Sequence, residues 1–210
     1  MCLDVGETLI DETRVVEAWA SILGVTRLTF AAAFGATLAR GGTHREAFRL
    51  FSDERDWPSQ ATAFDEQYGA FRASDLYPDA LPSLNALRDL GYRLSIVANQ
   101  PARRNAELRA LGIDAEVMAM SDELGVHKPA AEFFERALAL MGDPPPEQVA
   151  YVGDRPDNDV APAAAAGMRA VWLRRGPWGV VFESAPGASL VVRSLVELVG
   201  RIDDAWRADR

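Results

Sequence analysis

The sequence predicts an α/β fold: a parallel β-sheet with covering helices, interrupted near its start by an inserted helical bundle. Three observations predict it. Short apolar runs alternate with helix-length segments from residue 78 onward, the pattern of βαβ units. Residues 26–76 carry helical spacing and no alternating strand pattern. Between the first apolar run, Met1-Cys2-Leu3, and that stretch stands Asp4, and ligands of open α/β sheets bind where strands end.

Met1–Leu3 reads as the first strand and Val5-Gly6-Glu7-Thr8-Leu9 as the turn after it, with Gly6 allowing a sharp bend and a close approach to a ligand. From Asp11 to Gly24, Val15, Val16, Trp19, Ile22 and Leu23 recur at helical spacing, and Gly24 supplies the stop. Helices continue over 31–39, 45–51 and 61–73, punctuated by Gly41-Gly42 and Trp57-Pro58-Ser59. Residues 12–77 therefore read as one insert above the carboxyl edge of the sheet, where a lid belongs. After Tyr77-Pro78-Asp79, Pro82 starts a helix that Leu84, Leu87 and Leu90 continue. Strands are expected at 93–98, 115–119, 149–152 and 170–173. Helices are expected at 101–112, 129–141 and 161–167, with right-handed crossovers between the strands. Residues 176–189 read as loop and 195–207 as a final amphipathic helix. The core is thus assigned to 1–11 and 78–210, and the insert to 12–77.

Composition narrows the function. A net charge of −9 disfavours a nucleic-acid or anionic-membrane partner. No apolar run approaches the ~20 residues of a membrane span. The single Cys2 excludes an internal disulfide and, with Asp4 and Glu7 interrupting any secretory apolar run, fits a reducing cytoplasm. The shortness of the first strand is compatible with a start upstream of Met1. His44, His127 and Cys2 are too few for a zinc cluster. Nothing in the composition fixes an oligomeric state. Of the 22 basic residues only Lys128 is lysine. In a sequence that writes every other surface cation as arginine, that ammonium points to a site needing a compact charge on a flexible stem.

Polar residues stand at successive strand ends: Asp4, Asn99, Lys128 just before a helix, and Asp154 followed by Asp157 and Asp159. Clustered carboxylates are costly unless a cation joins them. A hard divalent ion with oxygen ligands, most simply Mg²⁺, meets that need. Trp19, Trp172 and Phe133 read as core. Arg45 and Arg49, one helical turn apart, read as a solvated face.

Asp4-Val5-Gly6-Glu7-Thr8-Leu9, Ile96-Val97-Ala98-Asn99, Gly125-Val126-His127-Lys128-Pro129 and Gly153-Asp154-Arg155-Pro156-Asp157-Asn158-Asp159 resemble, in order and spacing, the four motifs of the haloacid dehalogenase superfamily. Gly167-Met168-Arg169-Ala170-Val171-Trp172 is similar to the segment that comes after the fourth motif in that family. The resemblance spans essentially the whole chain. It implies a Rossmann-like three-layer core, with 12–77 in the place of a helical C1-type cap. It also implies a small phosphorylated substrate, with Asp4 as the nucleophile that forms an aspartyl-phosphate. Lys128 would neutralise charge beside it. Asp154, Asp4 and the carbonyl of Gly6 would hold Mg²⁺, with Asp159 supporting them. Thr8 would close the loop. Asn99, Lys128 and Arg155 stand as the candidate contacts to the substrate.

Two departures from the family pattern bear on activity. The general acid–base of family phosphatases stands two residues after the nucleophile, and here that position is Gly6, a loss of roughly 10²–10⁴ in rate. Glu7 is adjacent, but its side chain is expected to point elsewhere. The second motif has Ala98 where Ser or Thr would contact the phosphate, removing a hydrogen bond of about 1.5–3 kcal/mol to a charged partner. The expected activity is therefore a weakened or leaving-group-selective phosphatase, with a ligand-binding descendant as the alternative. Metal-independent dehalogenation is the third reading. The acidic fourth motif and Ala98, in place of that branch's serine, argue against it. Phosphonatase chemistry is disfavoured because the insert carries no lysine.

Overall fold

The computed structural model describes residues 1–207. Its sheet is six-stranded and wholly parallel, in the order β3-β2-β1-β4-β5-β6, with β1 at Cys2–Leu3, β2 at Ser95–Ala98, β3 at Val117–Met120, β4 at Ala150–Gly153, β5 at Arg169–Leu173 and β6 at Leu190–Val192. β1 pairs with both β2 and β4, so the residues after these three strands emerge side by side at one edge. Cys2, Val97, Tyr151, Ala170 and Trp172 face a core filled by Phe133, Phe134, Ala137 and Ala163 from helices Ala131–Leu140 and Ala161–Ala165. Their alternating neighbours Leu3, Ile96, Val152 and Val171 are fully buried too, so both faces of the sheet are covered, as a parallel sheet requires.

The chain divides into two compact units, Met1–Asp11 with Phe71 onward, and Glu12–Ala70. This corrects the expected boundary at 77. Residues 71–77 return to the core beside the turn after β1: Asp11 N–H donates to the Asp75 carbonyl (2.7 Å), Tyr77 N–H to Leu9 O (3.0 Å), and Ile10 bridges antiparallel to Leu76. Residues 208–210 of the expected core lie outside the described residues.

The second unit contains four α-helices: α1 (Thr13–Ile22), α2 (Arg27–Ala39), α3 (His44–Arg49) and α4 (Trp57–Tyr68). Thr26 caps α2 by accepting from Thr29 N–H, and Thr43 with Glu46 forms a capping box on α3. Trp57-Pro58-Ser59, expected as a break, is instead the first turn of α4, where the missing proline N–H has no partner to lose. The unit is held by aromatic contacts of Trp19 with Phe48, Trp57 and Phe64, at centroid distances of 4.6, 5.4 and 4.7 Å. No single described helix is long and apolar enough to cross a membrane; α1 and α2 together pass by composition but are bent by 108° at their junction.

Other differences are local. β6, unforeseen, is only three residues long and completes the sheet beside β5. The final helix stops at Arg201 and tightens into a 3₁₀ turn over Ile202–Trp206. Trp178 is buried under Arg155, whose guanidinium lies 4.7 Å from the ring centroid. Cys2 is wholly buried in β1, and that burial pushes its thiol up to about 12. Alkylation at mildly alkaline pH is accordingly expected to label this thiol in urea and to leave it unlabelled in the native protein; stoichiometric native labelling would contradict the placement of β1 in the sheet centre.

Candidate active site

Asp4 leaves the end of β1 with its N–H donating to Val152 O (2.9 Å), which fixes it to the β4 side of the sheet. The turn after it closes on one acceptor: Val5 O takes the N–H groups of Thr8, Leu9 and Ile10, at 3.2, 2.8 and 2.9 Å. The turn also places Glu7 at φ +48°, a conformation costly for a residue with a Cβ.

Lys128 reaches the same place from the segment after β3. Its Nζ lies 2.7 Å from Asp4 Oδ1 and 2.6 Å from Asp159 Oδ1. Asp159 is presented by a single π turn, Pro156–Val160, and its other oxygen accepts from Arg155 N–H at 2.9 Å. Gly153, the last residue of β4, makes room for it: a Cβ there would overlap the Asp159 carboxylate. Asp154 comes next, 2% exposed, with its carbonyl accepting from the Trp172 indole N–H at 2.8 Å.

Asp4, Asp154 and Asp159 each offer an oxygen within 4.8 Å of the others, and all three residues are buried. Burial pushes the Asp4 carboxyl up to about 6 despite the pull of Lys128 toward the charged form, and Asp159 pushes the same way as burial. Burial alone would lower the Lys128 ammonium, but Asp159 and Asp4 override it and hold it above its ordinary value. Three buried carboxylates against one ammonium leave an excess of negative charge, and the donors are all hard oxygens. The cluster fits a hard divalent cation such as Mg²⁺ and offers none of the nitrogen or sulfur ligands typical of zinc.

The remaining candidates are distributed differently from expectation. Asn99 is expected from its motif to touch substrate, yet both ends of its amide are bonded to the main chain of Lys128: Nδ2 donates to Lys128 O (3.0 Å) and Lys128 N–H donates to Oδ1 (2.8 Å). The side chain thus anchors the main chain of the lysine. Arg155 directs its guanidinium to Asp157 (2.6 Å) and the Trp178 ring. The Thr8 hydroxyl is buried without a hydrogen-bond partner among the described residues, while its carbonyl is engaged. Glu7 accepts from Tyr77 O–H at 2.5 Å. Tyr77, Asp79 and Arg175 carry no signal in the sequence that marks them as functional. The one available cue is the Tyr77-Pro78-Asp79 break; Arg175 is lost among the arginines.

The family model of the haloacid dehalogenase-like hydrolases matches residues 1–167. The chain is 41% identical over 105 residues to a Methanopyrus kandleri protein named glyceraldehyde 3-phosphate phosphatase, covering 49% of this chain and 45% of that one. It is 37% identical over 108 residues to a phosphoserine phosphatase of Thermus thermophilus, covering 50% of this chain and 43% of the other. It thus spans about half the length of the curated relatives it matches. A crystal structure of a HAD phosphatase from Thermococcus onnurineus superposes with a TM-score of 0.61 at 25% identity, covering 96% of each chain.

Proposed function

The chain belongs to the haloacid dehalogenase-like hydrolases, and we propose that it is a Mg²⁺-dependent phosphatase acting through Asp4 on a small phosphorylated substrate. The observation that carries this reading is the placement of the Lys128 ammonium 2.7 Å from Asp4 and 2.6 Å from Asp159, inside a buried triple-carboxylate cluster. Asp4, Asp154 and the Gly6 carbonyl would hold the cation, which would supply positive charge to the phosphoryl group. Asp159, whose oxygens already serve Lys128 and Arg155 N–H, supports the arrangement by fixing the lysine.

An Asp4 carboxylate oxygen attacks phosphorus; the new bond is an acyl phosphate and the bond broken is that to the leaving oxygen. Lys128 neutralises charge at the transferring group, and Asn99 holds Lys128 in reach. Such transfer depends mainly on positioning and charge neutralisation, which these groups provide. Water then hydrolyses the acyl phosphate without a general base at position 6. We assign residues 12–70, as the cap of the family, the choice of substrate.

Gly6 makes the reaction selective for leaving groups that need no proton. Turnover of p-nitrophenyl phosphate or an acyl phosphate with Mg²⁺ is expected to exceed that of an alkyl phosphate. Gly6→Asp is expected to raise alkyl phosphate turnover about 10²-fold, with a smaller gain on the aryl ester. Absence of turnover on every phosphate by the wild type, with a large gain in Gly6→Asp, would favour the second reading, a protein that binds a phosphorylated ligand without consuming it. Gly6 and Ala98 are the observations on that side. Halide release from a haloacid without metal would contradict both.

A further inference from the structure

Gly6 removes an anchor as well as an acid, since a glycine leaves the turn after Asp4 with more backbone freedom than any other residue. The turn is nevertheless tied from outside, and the tie converges on one half-buried arginine. Arg175 stands just beyond β5, and its side chain is 9% exposed. Its Nη2 donates to Thr8 O at 2.7 Å and its Nη1 to Asp79 Oδ1 at 2.8 Å. Its guanidinium lies 4.0 Å from the centroid of the Tyr77 ring. Asp79 is itself fixed, because its second oxygen accepts from Leu195 N–H at 2.8 Å. Tyr77 closes the circuit by donating its hydroxyl to Glu7. Gly176, at φ +60°, leaves the room that the Glu7 carboxylate occupies; a Cβ there would overlap it.

We infer that Arg175 is a positioning residue for the turn that carries Asp4: it holds the Thr8 carbonyl, and through it the main chain of Gly6 and Glu7, in the geometry that phosphoryl transfer needs. The planar fork of arginine suits this, since one guanidinium serves a carbonyl and a carboxylate at once while its face covers a ring. Asp79 and Tyr77 orient the fork and touch no reacting atom. The role rests on the phosphatase reading for its consequence in catalysis, and on geometry alone for its consequence in the turn.

The test is Arg175→Ala in the full chain, with hydrogen exchange of the peptide spanning residues 5–10 measured beside p-nitrophenyl phosphate kinetics in Mg²⁺. Exchange of the Thr8, Leu9 and Ile10 amides is expected to accelerate about tenfold or more, while β4 and β5 amides keep their rates. A displacement of the turn on the order of 1 Å is expected to lower kcat roughly 10²-fold with KM nearly unchanged. Arg175→Lys, with a charge but no fork, is expected to recover only part of kcat. If Arg175→Ala does not fold, Asp79→Asn takes its place and is expected to shift both readouts in the same direction. Unchanged exchange over 5–10 in the folded variant, or a rise spread evenly over the whole sheet, would overturn the positioning role. If the wild type hydrolyses no phosphate, the phosphatase reading fails, and the exchange measurement still decides whether Arg175 holds the turn.

Discussion

Asp4→Asn is expected to lower aryl phosphate hydrolysis by roughly 10⁴-fold or more, because it removes the attacking oxygen itself rather than an aid to it. The same substitution is expected to leave the fold intact and the metal-free protein at least as stable as the wild type. The amide matches the carboxylate in shape and still accepts from Lys128 at the Oδ1 position. It also removes a buried charge that the fold holds unwillingly, since burial pushes the Asp4 carboxyl up to about 6. The measurement pairs kcat in saturating Mg²⁺ with the urea midpoint in EDTA. Loss of activity with an equal or higher midpoint is the expected pairing. Activity surviving in Asp4→Asn would remove the nucleophile assignment.

Lys128→Met has the largest expected effect on stability, about 3–5 kcal/mol, because it leaves the buried carboxylates of Asp4 and Asp159 without their ammonium. Lys128→Arg is expected to restore little. The side chain is 1% exposed, and the ammonium lies 5.5 Å from the Tyr151 ring and 5.9 Å from that of Phe133, so a planar guanidinium has no room to enter. Asp159→Asn in the Lys128→Met background is expected to recover part of the loss, since the two groups share one interaction. Urea titration of the two single variants and the double variant in EDTA checks this. Independent, additive effects of the two substitutions would contradict the pairing.

The fold is legible in the sequence where burial and chain direction act locally. The apolar runs within 93–98, 149–152 and 170–173 betray buried parallel strands because both their faces are covered. Asp4, Lys128, Asp154 and Asp159 are legible because topology sends the ends of neighbouring parallel strands to one edge. β6 is not, because three residues carry no periodicity. The return of 71–77 to the core is hidden because its ties are backbone hydrogen bonds to residues 9–11, which leave no mark on side-chain pattern. Arg175 is hidden for the same reason at longer range: its partners are a carbonyl at Thr8 and a carboxylate at Asp79, and nothing in its own neighbourhood announces them. Asn99 shows the reverse. The residue stands out in the sequence, but which group its amide bonds depends on where the Lys128 main chain passes.

The most direct measurement is capture of the covalent intermediate. Without a general base at position 6, hydrolysis of the aspartyl-phosphate is expected to be slower than its formation from a good leaving group, so the phosphorylated enzyme accumulates. Acid quenching during turnover of p-nitrophenyl phosphate with Mg²⁺, with subsequent peptide mass mapping, is expected to show one added phosphoryl group on the peptide containing Asp4. The signal should be absent in Asp4→Asn and in EDTA. Turnover with no phosphoryl adduct at Asp4, or an adduct that persists in Asp4→Asn, would contradict the account.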